Sequence, residues 1–422
     1  MLTWALMRLR LNRLPESSTP ESSALPLICE NLRNLRPLLH LRKSASSAAR
    51  TTRWAREGLS SISGVRSELL RQARRIVVKL GTGVLTDARK RPDQVQFAQL
   101  VAQMAGLRAA GREVVVVTSG AVGAGMGVLG YENRPASLAE RQACAAVGQS
   151  RLMAMYEALF RHYDLNVGQV LLTHDDLADH GRHLNARNTL LTLLKRGVIP
   201  IINENDVVSV TELKFGDNDK LSALVASLLP ADLLVILTTA DGLIENFGKP
   251  TARRLSVIDK IDDSIAAMAG GTTSLTATGG MATKITAART VVRSGIPLVI
   301  SSGRRFDGLE RILAGEDEGT FFVPAATGLS SRKRWIAFYH PVKGTLSLDA
   351  GATRAIVEQG RSLLAVGISR CEGEFAVGDV VRLISQADGV EVARGLARFP
   401  AAVLRDKKAT GEVVHRDDLV VL

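Results

Sequence analysis

Two lysines stand where a ligand could reach them. Lys79 lies in the apolar run 76–80, which ends directly before Gly81. Lys284 is the last residue of the glycine-containing segment 278–284. The side chain of a lysine inside an apolar strand must extend to solvent or face a binding site. Because Lys79 is one residue from the end of its strand, a binding site is favoured. Backbone amides beside glycine turns and at helix starts suit anions. The lysines indicate phosphate chemistry, with an ordinary glycine turn as the alternative at 278–284.

Polar clusters follow other predicted strands, at 119–121, 203–206 and 216–220. The acidic stretch 203–219 suits a cation or a substrate ammonium group, with a solvated loop as the alternative. It lacks the D-x-[DN]-x-[DN]-G spacing of a calcium loop. Three histidines share a further predicted loop without the spacing of a zinc site, so we predict ordinary loop histidines and no metal-binding residues. They are His174, His180 and His183.

The residues between these clusters alternate between strand-like and helix-like patterns. Strands are predicted at 76–80, 113–118, 167–173, 198–203, 233–238 and 297–301, with a helix at 93–110. This alternation predicts an α/β fold, a three-layer αβα sandwich with a mostly parallel central sheet. Ligands bind beyond the carboxyl ends of the strands in such sheets, which is where the polar clusters lie.

The pattern changes at both ends of this region. Residues 1–72 are predicted to be a poorly ordered extension, with partial helix near 65–74. The alternatives are an organelle transit peptide and a start codon assigned too far upstream. Residues 73–328 form the predicted α/β domain and 329–340 a polar linker. Short strands separated by Gly-Asp or Asp-Gly turns predict a small β-barrel-like domain at 341–422.

The charge, the cysteine content and the hydrophobic pattern indicate which classes of function suit this chain. The net charge is +12, but half of the excess lies in the first 70 residues, which hold eleven Lys or Arg and five Asp or Glu. The remaining charge is modest and fits phosphate-bearing substrates. Three separated cysteines give no disulfide framework, and no apolar run is long enough to cross a bilayer. We therefore expect a cytoplasmic protein without membrane contact.

Six motifs together resemble the glutamate 5-kinase family of the amino-acid kinase superfamily. They are VVKLGT at 77–82, TSGA at 118–121, LNARNT at 184–189, INEND at 202–206, FGDND at 215–219 and TGGMATK at 278–284. The resemblance covers about 75–325, and segments within 344–418 resemble the PUA domain that such kinases often carry. It implies a carbamate kinase-like α/β fold and ATP-dependent phosphorylation of the glutamate γ-carboxylate, with Mg²⁺ as cofactor, as the first step of proline biosynthesis.

The resemblance also implies roles for individual residues. Lys79 and Lys284 would contact the transferred phosphoryl group, and Asp219 would hold the two lysines in place. Gly81 and Gly120 would bring backbone amides to the phosphoryl group. The residues implied to bind glutamate are Ser119, Asp206 and Asn218, and those implied to bind the nucleotide are Lys79, Gly81, Thr238, Thr239, Thr278, Gly279, Gly280, Met281, Ala282, Thr283 and Lys284.

Two positions depart from the family pattern. Thr239 stands where the nucleotide-contacting Thr-Asp pair has Asp, and Gly83 stands where Ser is common. The family further implies a homo-oligomer, a dimer or tetramer, with proline as feedback inhibitor and glutamyl phosphate reductase as recipient of the product. The alternatives are aspartate, acetylglutamate or UMP kinase activity, and an RNA-binding protein acting through the PUA-like domain. The low aromatic content of the C-terminal region predicts at most weak RNA binding.

Overall fold

A computed structural model of the chain describes residues 62–422 except 88–91, 210–217, 270–279, 327, 341 and 407. By compactness the chain divides into two units. Of the described residues, the first unit comprises those from 62 to Thr173 and Arg187–Gly328, and the second comprises those of His174–Ala186 and Leu329–Leu422.

Ten strands of the first unit are described. They are β1 (Arg75–Leu80), β2 (Glu113–Val117), β3 (Val167–Leu172), β4 (Ile199–Glu204), β5 (Leu233–Thr238), β6 (Ile244–Glu245), β7 (Arg253–Arg254), β8 (Val257–Ile258), β9 (Leu298–Ser302) and β10 (Thr320–Phe322). Eight of them form one sheet in the order β3-β4-β2-β1-β5-β9-β10-β8, while β6 and β7 pair separately. The pairings from β3 to β9 are parallel, and β10 runs antiparallel to β9.

Helices cover both faces of this sheet. Those described in the first unit are α1 (Ile62–Gln72), α2 (Thr82–Leu85), α3 (Gln94–Ala109), α4 (Ala121–Leu129), α5 (Leu138–Arg161), α8 (Asn218–Leu228), α9 (Asp263–Ala269), α10 (Met281–Arg293) and α11 (Gly308–Leu313). Between α5 and β4 in the chain, α6 (His174–Ala178) belongs to the second unit, and α7 (His180–Lys195) belongs to the first unit from Arg187 onward. Successive residues of β1 point to opposite faces of the sheet, yet all five from Ile76 to Leu80 are buried. The predicted αβα sandwich with a mostly parallel sheet is confirmed.

The strands nearest the site agree with the sequence pattern to within one or two residues, because each is a buried apolar run. The short strands β8 and β10 were not predicted. They have two and three residues. Their positions are fixed by pairing with β9 and with each other, which local patterning does not encode.

Helix α1 lies inside the segment predicted to be a poorly ordered extension. Leu70 is completely buried in the core of the first unit. Arg66 is also buried, and its guanidinium donates to the side chains of Asp317 and Ser256 and to three backbone carbonyl groups. The end of the predicted extension is therefore an ordered part of this unit. The prediction for residues 1–61 lies outside the described residues.

The second unit contains a five-stranded sheet in the order β13-β11-β14-β15-β17 and a separate pair of β12 with β16. Its strands are β11 (Val342–Leu348), β12 (Leu363–Leu364), β13 (Ile368–Gly373), β14 (Val380–Ser385), β15 (Glu391–Leu396), β16 (Glu412–Val414) and β17 (Leu419–Val421). Its helices beyond α6 and the start of α7 are α12 (Ser331–Arg334), a π-helical turn (Trp335–Tyr339), α13 (Ala350–Val357), α14 (Ala401–Arg405) and short 3-10 turns at Ala365–Gly367 and Arg416–Asp418. The predicted small β-rich domain is thus present.

Two local predictions differ from this structure. The segment predicted to be a linker is largely helical, and Ile336 packs with Val380 and Val420 in a small apolar cluster. The three histidines predicted to lie in a loop belong to helices α6 and α7 instead. Short helices of this kind depend on packing more than on their own propensity, so single-sequence patterns indicate them poorly.

None of the helices within the described parts of the chain combines the length and the apolar character needed to cross a bilayer.

Candidate active site

Lys79 lies at the penultimate position of β1, between Val117 of β2 and Ile236 of β5. Its side chain is 6% exposed, and its Nζ atom is 2.7 Å from Oδ1 of Asp219. A buried ammonium group is costly unless it is paired, so this contact explains how a lysine is accommodated in an apolar strand.

Asp219 is in the first turn of α8 and is almost completely buried. Its second oxygen, Oδ2, accepts hydrogen bonds from Oγ1 of Thr283 at 2.7 Å and from Nζ of Lys284 at 3.1 Å. Burial alone would raise the pKa of the Asp219 carboxyl group, but Lys79 and Lys284 hold it well below its ordinary value. The residue is a carboxylate at neutral pH and cannot take up a proton there.

Lys284 lies in the first turn of α10, whose N-cap is Gly280. The carbonyl oxygen of Gly280 accepts from Oγ1 of Thr283 at 2.9 Å and from Nζ of Lys284 at 3.4 Å. The two lysines and Asp219 leave one net positive charge beside the positive end of the α10 dipole. Such a surface suits a phosphate group.

The two glycines expected to offer amides to phosphate differ in their geometry. Gly120 is the N-cap of α4 with φ +103°, a conformation that favours glycine over other residues. The amide of Gly81 instead donates to the carbonyl oxygen of Leu237 at 3.1 Å. The expected amide contact from Gly81 does not match this structure, because β5 already uses that donor. A Cβ atom at Gly81 would lie 3.3 Å from the carbonyl oxygen of Leu237, a tight contact with the backbone of β5.

A network of amides lies at the adjacent strand ends. Nδ2 of Asn218 is 2.8 Å from the carbonyl oxygen of Thr118, 3.0 Å from Oγ of Ser119 and 3.0 Å from Oδ1 of Asn203. Nδ2 of Asn203 in turn donates to Oε1 of Gln149 at 2.9 Å. Two of the residues expected to bind glutamate, Ser119 and Asn218, are therefore in direct contact.

Thr238 and Thr239 lie at the end of β5, where the sequence predicted a nucleotide contact. The carbonyl oxygen of Thr238 accepts from the amide of Gly303 at 2.8 Å, and Thr239 is exposed. A Cβ atom on Gly83 would lie 3.0 Å from Cγ2 of Thr239. The two departures from the family pattern are therefore neighbours in space.

Other predicted residues lie around this centre or outside the described residues. Asp206 is half-buried in the turn after β4. Met281 and Ala282 are in the first turn of α10, with Ala282 exposed. Thr278 and Gly279 lie outside the described residues. Within the described ranges no group of three or more His, Cys, Asp or Glu side chains is arranged to hold a metal ion.

Sequence reasoning missed two buried members of the amide network. Asn203 belongs to a motif that was recognised, but no role was predicted for it, although its position at the end of β4 was a usable signal. Gln149 lies in the middle of α5, far from any strand end. Nothing in its local sequence distinguishes it from an ordinary helical glutamine.

Comparisons with known proteins show which families this chain resembles. The profile of the amino acid kinase family matches residues 74–302, and that of the PUA domain matches 344–417. A glutamate 5-kinase of Moorella thermoacetica is 47% identical over 84% of this chain and 97% of its own length. One from Syntrophotalea carbinolica is 46% identical over 85% of this chain and its whole length. Among solved structures, carbamate kinase from Giardia lamblia bound to AMP-PNP is similar with a TM-score of 0.44 and 20% identity, over 60% of this chain and 99% of that one.

Proposed function

The chain belongs to the amino acid kinase family, and we propose that it transfers the γ-phosphoryl group of ATP to the side-chain carboxylate of L-glutamate. The products are L-glutamyl 5-phosphate and ADP, and the reaction is the first step of proline biosynthesis. Identity to glutamate 5-kinases over nearly their whole length supports this acceptor. The observation that carries the chemistry is the convergence of Lys79 and Lys284 on the single carboxylate of Asp219.

The proposed reaction needs no general base. The glutamate side chain has a reference pKa of about 4.3, so its nucleophilic oxygen is already ionised at neutral pH. That oxygen forms a bond to the γ-phosphorus while the bond from the phosphorus to the β,γ-bridging oxygen breaks, and ADP leaves with that electron pair. No proton moves. The barrier is the repulsion between two anions together with the geometry of in-line attack, which fixed positive groups reduce.

The residues of the cluster take different parts in this proposal. Lys79 and Lys284 contact the phosphates and stabilise charge during transfer, and Asp219 fixes the two ammonium groups without accepting a proton. Ser119, Asp206 and Asn218 hold glutamate, with Asp206 facing its ammonium group. Thr238, Thr239 and the start of α10 contact the nucleotide. The depressed pKa of Asp219 supports its assignment as a positioning residue.

We also propose Mg²⁺ as a cofactor carried by the nucleotide. Both oxygens of Asp219 are engaged by the two lysines, so that carboxylate does not suit a metal ion. Mg²⁺ keeps several waters and commonly binds through substrate phosphates. Since Asp219 is occupied by the lysines, the phosphate oxygens of ATP are the expected ligands of Mg²⁺. When bound, it neutralises phosphate charge.

A hydroxamate assay tests the proposal. Hydroxylamine traps an acyl phosphate as a hydroxamate, so the full-length protein with glutamate, ATP and Mg²⁺ should form γ-glutamyl hydroxamate. Aspartate, acetylglutamate and UMP should give far less turnover when ADP release is measured in parallel. A well-folded protein that forms no hydroxamate from glutamate, or that turns over another acceptor faster, would contradict the assignment.

Further parts of the proposal rest on the family resemblance. We propose that the protein is cytoplasmic, forms a homo-oligomer of two or four chains, is inhibited by proline and passes its product to glutamyl phosphate reductase. The PUA match at 344–417 supports weak RNA binding as a second candidate function. Light scattering tests the oligomeric state, and the hydroxamate assay with added proline tests inhibition. RNA binding should depend on salt and be lost on removal of 335–422.

A further inference from the structure

Gln149 is a buried glutamine with one of its two polar atoms unsatisfied. It lies in the middle of α5 with 8% of its surface exposed. Its Oε1 accepts a hydrogen bond from Nδ2 of Asn203, whereas its Nε2 has no hydrogen-bond partner among the described residues. A buried glutamine that adds only stability would be expected to satisfy both ends of its amide, because an unmade buried hydrogen bond is costly.

The contact with Gln149 and the backbone amide of Glu204 together fix which way the Asn203 amide faces. Oδ1 of Asn203 accepts from the amide of Glu204 at 2.9 Å and from Nδ2 of Asn218 at 3.0 Å. An asparagine amide has a donor end and an acceptor end, so a donor directed at Gln149 leaves the acceptor directed at Asn218. A reversed Asn203 amide would place two NH₂ groups against each other at Asn218.

The orientation of Asn218 follows from the same chain of contacts. Its Nδ2 atom is held by Asn203, Ser119 and the carbonyl oxygen of Thr118. Its Oδ1 atom is buried and has no hydrogen-bond partner among the described residues. The network therefore leaves one unsatisfied acceptor on a residue expected to bind glutamate, and an amino-acid ammonium group is a donor that matches it.

The helix that carries Gln149 is seated rigidly beside Ser119. A Cβ atom on the neighbouring Gly148 would lie 1.8 Å from the carbonyl oxygen of Ala121, the first residue of α4. One on Gly125 of α4 would lie 1.8 Å from the carbonyl oxygen of Cys144 in α5. The two helices approach so closely that Gln149 has a fixed position relative to the 118–121 turn.

We propose that Gln149 is a positioning residue for the glutamate acceptor, acting through Asn203 to orient the amide of Asn218. The inference rests on the proposed function. It predicts that Gln149→Met, which keeps the side-chain length but removes the acceptor, raises the KM for glutamate about three- to tenfold, the effect of losing one hydrogen bond. The values of kcat and of the KM for ATP should change less than twofold. The variant loses an interaction that holds glutamate equally in the ground state and in the transition state.

A double-mutant cycle separates this role from general stabilisation. If Gln149 acts through Asn203, Gln149→Met should add less than a twofold effect on the KM for glutamate when Asn203→Ala is already present. Gln103→Met is the control, since the Gln103 amide hydrogen-bonds the backbone of Arg305 and Leu309 and takes no part in the amide network, so its loss should leave the KM for glutamate unchanged. If Gln149→Met does not fold, Gln149→Asn carries the same expectation, because the shorter amide cannot span the distance to Asn203.

The outcomes are distinct. An unchanged KM for glutamate in the Gln149 variants, a loss of kcat alone, or independent effects in the cycle would overturn the inference. Failure of the proposed function is recognised separately, because the wild-type protein would then form no hydroxamate from glutamate.

Discussion

A Cβ atom on Gly83 would lie 3.0 Å from Cγ2 of Thr239, so the side chains at these two positions compete for the same space. Such a contact is shorter than carbon atoms normally tolerate. Gly83 is in the short helix α2 after the Lys79 strand, and Thr239 follows β5. We infer that the two departures from the family pattern are coupled.

This coupling predicts a specific cycle. Gly83→Ala adds only the Cβ atom and should raise the KM for ATP about two- to fivefold by displacing Thr239, a coupling of roughly 0.5–1 kcal/mol. Thr239→Ser removes only the methyl group and should restore the KM for ATP in the double variant. Steady-state kinetics with ATP varied at saturating glutamate measures the cycle. If Gly83→Ala raised the KM for ATP equally with Thr239 and with Ser at position 239, the coupling would be contradicted.

The Asp219 carboxylate should be essential for turnover although it takes no part in proton transfer. Asp219→Asn leaves two buried ammonium groups without the charge that holds them together, so kcat should fall by about 10²–10³-fold. The control is Asp232→Asn. Asp232 accepts hydrogen bonds from the backbone amides of Arg74 and Arg75 at the opposite end of β1, so kcat should change little. The hydroxamate assay compares the two variants. An Asp219→Asn enzyme with kcat within threefold of wild type would exclude the proposed role.

The same carboxylate gives a prediction for stability against pH. The pKa of Asp219 is lowered in the folded protein, so its contribution to stability is present above its unfolded value, near 3.8, and is lost as the pH falls below that value. At pH 7 Asp219→Asn should cost about 3 kcal/mol because it leaves buried charges unpaired. The difference between wild type and variant should narrow between pH 4 and pH 2. Urea denaturation across pH 2–7 measures it, and a constant difference would contradict the assignment.

The sequence predicted most of the parallel sheet and the centre of the site for a physical reason. A buried parallel strand is a continuous apolar run, and a polar residue at its end is visible against that background, as Lys79 is. Asp219 and Lys284 were recognised from motifs whose order along the chain resembles a known family. Their contact with Lys79 is tertiary, and no local pattern contains it.

What the sequence did not predict depends on close packing between elements distant in the chain. Gln149 is an ordinary helical residue until α5 is placed beside β4, where it meets Asn203. The short strand β10 exists only because β8 and β9 pair with it. Helix α1 is held by contacts of Arg66 with residues some 190 to 252 positions away. Periodicity within a window of 10 to 20 residues carries no information on such partners.

The glycine contact between α4 and α5 provides a further prediction. Gly148→Ala would place a Cβ atom 1.8 Å from the carbonyl oxygen of Ala121, so the helices must separate. We expect a loss of about 2–3 kcal/mol in the free energy of unfolding. Gly127→Ala in α4 is the matched control: an added Cβ atom meets nothing within 4 Å there, and the change should stabilise the protein by about 0.5–1 kcal/mol. Equal melting shifts in the two variants would show that the contact is unimportant.

The last prediction concerns α1 and its buried guanidinium group. Arg66 donates to Asp317 at 2.7 Å and to the backbone carbonyl oxygens of Glu316 and Glu318, each at 2.8 Å. Burial would raise the pKa of Asp317, but hydrogen bonds and charges from Arg254, Ser256 and Arg66 lower it to about 2. The guanidinium therefore fastens α1 to the loop before β10.

Arg66→Met should lower the free energy of unfolding by about 2–4 kcal/mol, because it leaves buried carbonyl oxygens without a donor. Arg71→Met on the same helix removes an exposed hydrogen bond to the carbonyl oxygen of Ala314 and should cost less than about 1 kcal/mol. Amide hydrogen exchange of α1 should rise strongly in the first variant and little in the second. Equal protection of 62–72 in both variants would show that apolar contacts, such as those of Leu70, hold the helix without help from Arg66.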